Sequence, residues 1–409
     1  LGAGPGPLRR PPREHLEAPV LPVLTYEPLD PATVTNPYPV LAALREQAPV
    51  SWHDGMSSWL VTRYADCTAV LRDHNTFARD RRRTGQQVPA ASLSVQSLDP
   101  PGQASVRSLF MNALRAQDLP GLETRARDRA AALLREAAER PSFEVMSELA
   151  APLSLAVVCD LLGVDEPPLA EFAAASDAIM RSMDGGLDPA LIEPGRQARE
   201  ELTALVDSWF TETGRPSGLL AHVRAHTPAG TGETEELFVR NTARVMFQGG
   251  YSTMTAALGN ALHTLTAHPE AQEQLRANPR LVPKAAEELV RFDGPVQGTS
   301  RTAIRKTSIA GIPIPAGDPV VLLFAAANRD PARFAEPDQL LLERRDNRHL
   351  GYGWGTHSCI GTRAAQACVR VVLDALRTHR TPLRLTGRAQ RQPSATMRTF
   401  AALPATLHP

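Results

Sequence analysis

A glycine-rich segment near the end of the chain holds the residue best suited to chemistry. Residues 351–361 read GYGWGTHSCIG, so three alternating glycines precede Cys359. Alternating glycines permit tight turns with positive φ and leave room for a flat ligand beside the main chain. Cys359 is predicted to begin a helix, where converging backbone N–H groups would stabilise a thiolate. The segment therefore predicts an anionic sulfur beside an open space.

Two simpler interpretations of Cys359 compete with a ligand role. A buried structural cysteine beside a glycine-rich turn is the commoner arrangement for an isolated cysteine. A zinc site needs more ligands, and no second Cys/His pair stands at ligand spacing. Cys368, nine positions later, falls on a predicted helix and fits the core or the surface. A third interpretation is a metal ligand. A thiolate bound to heme iron donates electron density to the iron and promotes O–O cleavage.

A glutamate and an arginine, Glu288 and Arg291, lie on a predicted helix over 283–292 that stops at Gly294 and Pro295. A spacing of three places both side chains on one helix face, where they can form an ion pair. Helix pairs of this kind are usually exposed to solvent. This one indicates a structural role only because of its order and distance in the sequence relative to the Cys359 segment.

Two adjacent glycines interrupt the longest predicted helix, which starts near Thr234 and runs to about Ala267. Gly249 and Gly250 weaken the helix, and a hydroxyl such as that of Thr253 can enter its hydrogen-bond ladder. The alternative is that the glycines only permit close packing of a neighbouring element.

Most of the remaining chain shows helical spacing of apolar residues, broken by proline and glycine. β-Branched and aromatic residues predict strands at 50–52 and 59–62, and a hairpin over 309–324 with its turn at Pro315–Asp318. Residues 81–98 lack periodicity and predict a long loop, which in a compact domain is usually functional. The fold class predicted is mainly α with a minor β-portion.

Composition limits the class of protein. The 409 residues include 44 basic and 44 acidic side chains, which argues against nucleic-acid binding. Four cysteines do not make a disulfide framework and fit a reducing cytoplasm. The most apolar run, Val320–Ala327, is far shorter than the ~20 residues of a membrane helix. Residues 1–34 are predicted to form a mobile, proline-rich leader and residues 35–409 a single domain.

These motifs, in this order, resemble those of the cytochrome P450 family. The Cys loop of the family reads FGxGxHxCxG, and residues 352–361 match it with Tyr352 in place of the usual phenylalanine. The family's Glu-x-x-Arg signature matches Glu288 and Arg291. The resemblance implies that these two residues form a structural pair and that Arg344 also contacts it.

The resemblance extends beyond these motifs to about residues 36–409 and is strongest to the soluble bacterial members. Asp99–Pro101 resembles the start of the helix over the heme edge, and Ala327–Pro331 resembles the segment that precedes the Cys loop. The implied architecture is the triangular helical domain of the family, with small sheets and a heme between the long central helix and the Cys359 loop.

Heme b is the cofactor that the resemblance implies, with Cys359 as the iron ligand. Residues of the matching loop implied to contact the cofactor are Tyr352, Gly353, His357 and Gly361. The family binds the heme propionates with cations or hydrogen-bond donors from three places, which by position are Arg107, Arg301 and His357. The family pattern HxRxR reads QASVR at 103–107, so Gln103 can donate a hydrogen bond but carries no charge. Propionate binding would then depend more on the other cations.

The resemblance also implies the residues that handle oxygen, namely Gly250, Ser252 and Thr253. Dioxygen would sit in the groove at Gly250, and Thr253 would hold the water that delivers protons to it. Ser252 stands where the family usually has Asp or Glu, which puts efficient proton delivery in question. Substrate contacts implied by analogy are Met246, Gly249, Val296, Gln297 and Phe400. Their mostly apolar character permits a bulky organic substrate and selects none.

The predicted function is monooxygenation of a small organic molecule in bacterial secondary metabolism. Electrons would come from a ferredoxin and a ferredoxin reductase, because no flavin- or NAD-binding region is recognisable. One alternative is a heme-thiolate enzyme for oxidative coupling, ring closure or dehydration, to which Ser252 points. Another is a catalytically silent heme-binding partner in a pathway complex, which Cys359, Glu288, Arg291 and Thr253 together disfavour. A cytoplasmic monomer with no membrane contact is expected.

Overall fold

Helices dominate the structure, a computed structural model that describes residues 26–89, 92–211, 217–228 and 232–408. The helices in these ranges are α1 Pro31–Thr35, α2 Tyr38–Gln47, α3 Tyr64–Arg72, α4 Gly102–Arg115, α5 Leu119–Ala138, α6 Ala151–Leu162, α7 Leu169–Arg181, α8 Ile192–Thr211, α9 Leu219–His226, α10 Glu233–Ala267, α11 Pro269–Ala277, α12 Val282–Phe292, α13 Phe324–Ala327 and α14 Thr362–Thr378. The strands are β1 Val50–His53, β2 Ser58–Val61, β3 Phe77–Ala78, β4 Phe143–Glu144, β5 Gly298–Ala303, β6 Thr307–Ile309, β7 Ile312–Ile314, β8 Pro319–Leu323, β9 Arg384–Leu385, β10 Gln390–Arg391, β11 Phe400–Ala402 and β12 Pro404–Thr406. The predicted fold class, mainly α with minor β, is confirmed.

The largest sheet has the strand order β1-β2-β8-β5-β3. β2 pairs with β8 in parallel, and the other neighbouring strands of this sheet are antiparallel. Val61, Val320 and Leu322 are fully buried, because the centre of the sheet packs into an apolar cluster of its own. This sheet fixes the position of β5, which carries Arg301.

The strand pairing over residues 307–323 differs from the single hairpin predicted there. β6 and β7 form a hairpin that turns at Ala310 and Gly311, which have φ values of 48° and 81°. Positive φ at both turn residues suits a two-residue hairpin, because its twist matches that of the strands. β8 instead pairs with β5 and β2, where its apolar side chains are buried.

The predicted central helix is confirmed as α10, with 35 residues. At 1.5 Å per residue it is about 52 Å long, enough to cross the molecule. Three glutamates occupy its first turn, where they oppose the positive end of the helix dipole. α10 packs against α6, α8, α12 and α14, so that it runs through the main apolar core.

The described part of the predicted leader is packed against the rest of the chain. Tyr26 is buried with residues of α2, and Arg398 donates hydrogen bonds to the carbonyl oxygens of Val34 and Thr35. Residues 1–25 of the predicted leader lie outside the described residues. In the part of the chain that the structure describes, none of the helices has the length and apolar character needed to span a bilayer.

Candidate active site

The Cys359 loop is shaped by glycines that no other residue could replace without strain. Gly353 and Gly355 have φ values of 69° and 73°. A Cβ at Gly355 would lie 2.7 Å from the carbonyl oxygen of Leu71, closer than side-chain carbons approach backbone. The amide of Cys359 donates to the carbonyl oxygen of Tyr352 at 2.9 Å, which closes the loop. These contacts hold the sulfur at a defined place before α14.

The Cys359 thiol is accessible, and its surroundings only partly favour the anion. Protein atoms around the sulfur raise its pKa by desolvation, whereas the Gly361 N–H, the Thr362 hydroxyl and the Arg107 charge lower the pKa. α14 begins at Thr362, so Cys359 precedes the helix by three residues rather than beginning it as predicted. Because the helix end is displaced, a bound metal would have to supply the rest of the thiolate stabilisation.

Glu288 and Arg291 form a bidentate ion pair inside the protein. Arg291 Nε and Nη2 each lie 2.8 Å from a different carboxylate oxygen of Glu288, and both residues are at most 1% exposed. Arg344 Nε lies 3.0 and 3.1 Å from the same two oxygens. The structure therefore brings together the three residues that the resemblance grouped, and it selects Arg344 over its neighbour.

The buried pair also fixes the chain that leads to the Cys359 loop. Arg291 donates to the carbonyl oxygens of Asn328, Pro337 and Gln339, at 2.8–3.2 Å. Glu288 accepts further bonds from the Leu341 amide and the Asn347 side chain. Since every charged atom has a partner, the burial of these charges is compensated.

The two glycines of α10 differ in their surroundings: Gly249 has open space beside it, and Gly250 packs closely against α6. A Cβ at Gly249 would meet no atom within 4 Å, whereas one at Gly250 would approach Val158 Cγ2 at 3.1 Å. Thr253 Oγ1 donates to the Gly249 carbonyl oxygen at 2.7 Å, and Ser252 Oγ donates to that of Gln248 at 3.0 Å. The helix is continuous through this point, with two hydroxyl groups beside the space at Gly249.

Arg301 is a buried cation whose hydrogen-bond acceptors are neutral. It is 4% exposed, and its Nη1 donates to the Ser300 carbonyl oxygen at 2.7 Å and to Thr299 Oγ1 at 3.3 Å. Burial, together with the nearby Arg79 charge, lowers the pKa of Arg301 to about 9, although the Asp99 charge acts in the opposite direction. Such a group is suited to bind an anion, which would compensate the buried charge.

The other two predicted cations have protein partners. Arg107 Nη2 donates to the carbonyl oxygen of Ser358 at 2.9 Å and contacts its hydroxyl at 3.1 Å. His357 Nε2 lies 3.2 Å from Asp99 Oδ1, and its Nδ1 lies 3.2 Å from the side-chain nitrogen of Gln103. Burial lowers the pKa of His357, although the Asp99 hydrogen bond raises it. In this arrangement both ring nitrogens of His357 have protein partners, and its contact with a propionate stays a prediction.

Asp99 is a residue of this site that the motifs did not single out as functional. Its carboxylate accepts bonds from the backbone amides of Arg79 and Asp80 and from Arg83 Nη1. Burial raises the pKa of Asp99, but the His357 hydrogen bond and these donors lower it well below its usual range. The ionised carboxylate thus positions the His357 ring. The two residues are 258 positions apart in the sequence, so no local pattern reveals this contact.

The predicted substrate residues are only partly brought together. Met246 and Gly249 lie on the same side of α10 as Thr253 and are partly accessible. Val296 is partly buried, and the Gln297 side chain donates back to the Gly294 carbonyl oxygen at 2.9 Å.

Phe400 is placed in the core rather than in a pocket. It is 5% exposed, its ring lies 4.8 Å from that of His263, and the Arg391 guanidinium lies 3.6 Å above it. These groups enclose the ring in this structure, and a contact between Phe400 and substrate stays a prediction.

Comparison with known proteins identifies the family. Residues 214–377 match the family model described as Cytochrome P450. Erythromycin C-12 hydroxylase of Saccharopolyspora erythraea is 32% identical over 342 residues, which cover 82% of this chain and 85% of that protein. Mycinamicin IV hydroxylase/epoxidase of Micromonospora griseorubida is 32% identical over 346 residues, covering 81% and 85%. The crystal structure of CalO2 superposes with a TM-score of 0.81 at 29% identity, covering 94% of this chain and 99% of that one.

The fold and site together define a heme-thiolate oxygenase. The chain belongs to the cytochrome P450 family, and it is a monooxygenase whose cofactor is heme b. When bound, heme supplies the site at which dioxygen is reduced and one of its oxygen atoms passes to an organic substrate.

The residues present fit this cofactor. The Cys359 thiol is accessible for ligation, and Gly361 leaves room beside the sulfur. Arg301 offers a buried charge that, among the described residues, donates no hydrogen bond to a carboxylate. Cys359 would hold the iron, and Arg301 would bind a propionate.

Proposed function

We propose that this enzyme hydroxylates or epoxidises a bulky, largely apolar molecule of macrolide size in bacterial secondary metabolism. The observation that carries the proposal is the open space beside Gly249, on the face of α10 that also bears Thr253. Relatives named for erythromycin and mycinamicin share about a third of the sequence over more than four fifths of the chain. A large ligand needs room next to the reacting centre, and a glycine at this position provides it.

A second candidate is a reaction with another outcome, such as oxidative coupling, ring closure or dehydration. The observation that favours it is Ser252, a neutral residue where the family usually has an acid. Serine cannot take up a charge near pH 7, so proton supply differs from that of members with a carboxylate. A reaction that consumes fewer protons from solvent would tolerate this change.

The electron donor we propose is a ferredoxin that is reduced by a ferredoxin reductase. α14 runs from the Cys359 loop, and its Arg363 is exposed beside a groove between α5 and α14. Arg127 and Arg370 also line this groove, and both contact Glu123. A surface with more guanidinium groups than carboxylates suits an acidic protein.

Three further features stay predictions. They are a cytoplasmic location, a monomeric state, and a single domain over residues 35–409.

Binding and product analysis test the proposal. The ferric enzyme would be titrated with macrolactones and with small terpenes, and ligands that displace the iron-bound water would be identified from the Soret band. We expect binding of macrolactones, and a product with one oxygen atom from labelled dioxygen when a surrogate ferredoxin and reductase are added. A product without the label would support the second candidate, and binding of small ligands alone would overturn the proposed substrate class.

Gly249→Val gives a matched structural test. A Cβ at Gly249 would meet no atom within 4 Å, so α10 should keep its shape in the variant, and its heme content would be measured first. It should bind bulky ligands at least about tenfold more weakly, since the side chain occupies the space they need. Unchanged affinity would show that the ligand lies elsewhere.

A further inference from the structure

Arg79 and Arg301 share their hydrogen-bond acceptors. Arg79 Nη1 donates to Thr299 Oγ1 at 2.7 Å and to the Ser300 carbonyl oxygen at 3.1 Å. Arg301 Nη1 donates to the same two oxygens, at 3.3 and 2.7 Å. The two guanidinium groups are therefore close neighbours, and both shared acceptors are neutral.

The strand register explains why these two arginines meet. β3 pairs antiparallel with β5, with Phe77 opposite Ala303 and Ala78 opposite Thr302. Continuing the register by one residue places Arg79 opposite Arg301. Residues opposite each other in an antiparallel pair have side chains on the same face, and like charges there repel. An anion between them would remove this repulsion.

Asp99 compensates the pair only in part: its charge favours both guanidinium groups, but among the described residues it accepts no hydrogen bond from either of them. Asp99 contacts Arg79 through the backbone amide, while its oxygens accept from the side chains of Arg83 and His357. The remaining bond of the Arg79 side chain is from Nε to the Gln96 carbonyl oxygen at 3.0 Å. Within the described residues, three guanidinium groups (Arg79, Arg83 and Arg301) thus surround one carboxylate.

The charge missing at Gln103 points to the anion. Gln103 is neutral, Arg107 is bonded to Ser358, and His357 is bonded to Asp99. We propose that Arg79 is a heme-binding residue of this protein, which binds a propionate together with Arg301 and replaces the charge that Gln103 lacks. The guanidinium groups of Arg79 and Arg301 then clamp one carboxylate from two sides with charge-assisted hydrogen bonds.

Heme transfer from the ferric holoenzyme to excess apomyoglobin measures this contact without any turnover. Arg79→Gln keeps a hydrogen-bonding side chain and removes the charge, so heme should leave about tenfold faster than from the wild type. Arg79→Lys keeps the charge but loses the planar guanidinium, so its rate of heme loss should fall between those of the wild type and of Arg79→Gln. Arg81→Gln, an exposed arginine two residues away, is the matched control and should not change the rate.

Heme dimethyl ester separates a propionate contact from a structural role. Its propionates carry no charge, so the wild type and Arg79→Gln, both loaded with the ester, should lose it at the same rate. A difference in the rate of loss that persists with the ester would show that Arg79 acts by holding the backbone at Gln96, and it would overturn the proposal. Two other results would also overturn it. One is loss of native heme from Arg79→Gln at the wild-type rate, and the other is equal rates of heme loss from Arg79→Gln and Arg79→Lys. Because the readout needs no substrate, it is independent of the proposed macrolide function.

Discussion

Thr253 Oγ1 donates a 2.7 Å hydrogen bond to the carbonyl oxygen of Gly249, one turn earlier on α10. The bond holds the hydroxyl beside the open space at Gly249. It also occupies the only proton of that hydroxyl, so the oxygen atom is left to accept a bond from water or substrate. This relationship bears on how protons reach dioxygen, because a water molecule bound to this oxygen atom could deliver them.

Iron ligation by Cys359 is the first prediction. The reduced carbon monoxide complex should show the strongly red-shifted Soret band of a trans thiolate, and Cys359→Ala should abolish it. Cys368→Ala is the control, because Cys368 is buried on α14 and only packs. Absorption spectra of both variants are sufficient, and a normal band in Cys359→Ala would end the assignment.

Arg291 is expected to be essential for folding. Arg291→Ala leaves Glu288 charged and buried beside Arg344, which typically costs about 3–5 kcal/mol. The yield of heme-loaded protein and its thermal unfolding measure the effect. Arg196→Ala breaks a pair of the same spacing, Glu193–Arg196, that is exposed, and it should change little. Equal stability of the two variants would contradict the structural role of the buried pair.

Local spacing was enough to predict some parts of the site. The three-residue spacing of Glu288 and Arg291 predicts an ion pair, and the glycines before Cys359 predict a loop with positive φ, because both depend on neighbouring residues. The contact of His357 with Asp99 and the contact of Arg79 with Arg301 depend on how distant segments pack. A single sequence carries no signal for such pairings.

The same distinction accounts for the strand pairing over residues 307–323 and for the burial of Phe400. A turn forms at Pro315–Asp318 as predicted, but the strands on either side of it pair elsewhere, β7 with β6 and β8 with β5 and β2. Phe400 has the apolar character of a pocket residue, yet His263 and Arg391 enclose it. Neither outcome follows from residue type alone.

Docking of ferredoxin is predicted to depend on Arg363. Arg363→Glu should slow reduction by a reduced ferredoxin several-fold at low salt, and the deficit should vanish at high salt. Arg377→Glu is the control, because Arg377 lies two turns past Arg370 and is already paired with Asp374 at 2.8 Å. Stopped-flow reduction at several ionic strengths compares them. If both variants behave alike, the groove beside Arg363 is not the docking surface.

Acid should destabilise the protein through His263. Burial lowers the pKa of His263 to about 4, and the Arg391 charge acts in the same direction. The unfolded chain binds this proton near pH 6.5, so the stability contributed is present above that pH and is lost as pH falls toward 4. His263→Gln should therefore lose about 1–2 kcal/mol less than the wild type between pH 7 and pH 5. Thermal unfolding of the holoenzyme gives the slopes.

His226, which is exposed on α9, provides the comparison for His263. His226→Gln should follow the wild-type dependence on pH, because its ring is not enclosed. A His263→Gln slope indistinguishable from that of the wild type would show that another group controls the acid response.

Proton delivery is predicted to run through water held by Ser252 and Thr253. Both hydroxyl groups donate to carbonyl oxygens of α10, at 3.0 and 2.7 Å, so each can accept a hydrogen bond and hold a water molecule. Ser252 cannot itself carry a charge near pH 7. Positioned acid–base groups contribute about 10²–10⁴-fold. Thr253→Ala should thus uncouple oxygen consumption from product, with at least about a tenfold loss of product per oxygen consumed.

A substrate hydroxyl is the competing proton source, and three comparisons distinguish it from the water relay. With substrate assistance, Thr253→Ala would be mild, and removal of the substrate's hydroxyl would be severe. Ser252→Asp restores the usual acid and should improve coupling only where proton supply limits it. Thr255→Ala, two residues further along α10, is the matched control and should keep wild-type coupling. Oxygen uptake and product would be measured together, and wild-type coupling in Thr253→Ala would exclude the relay through this residue.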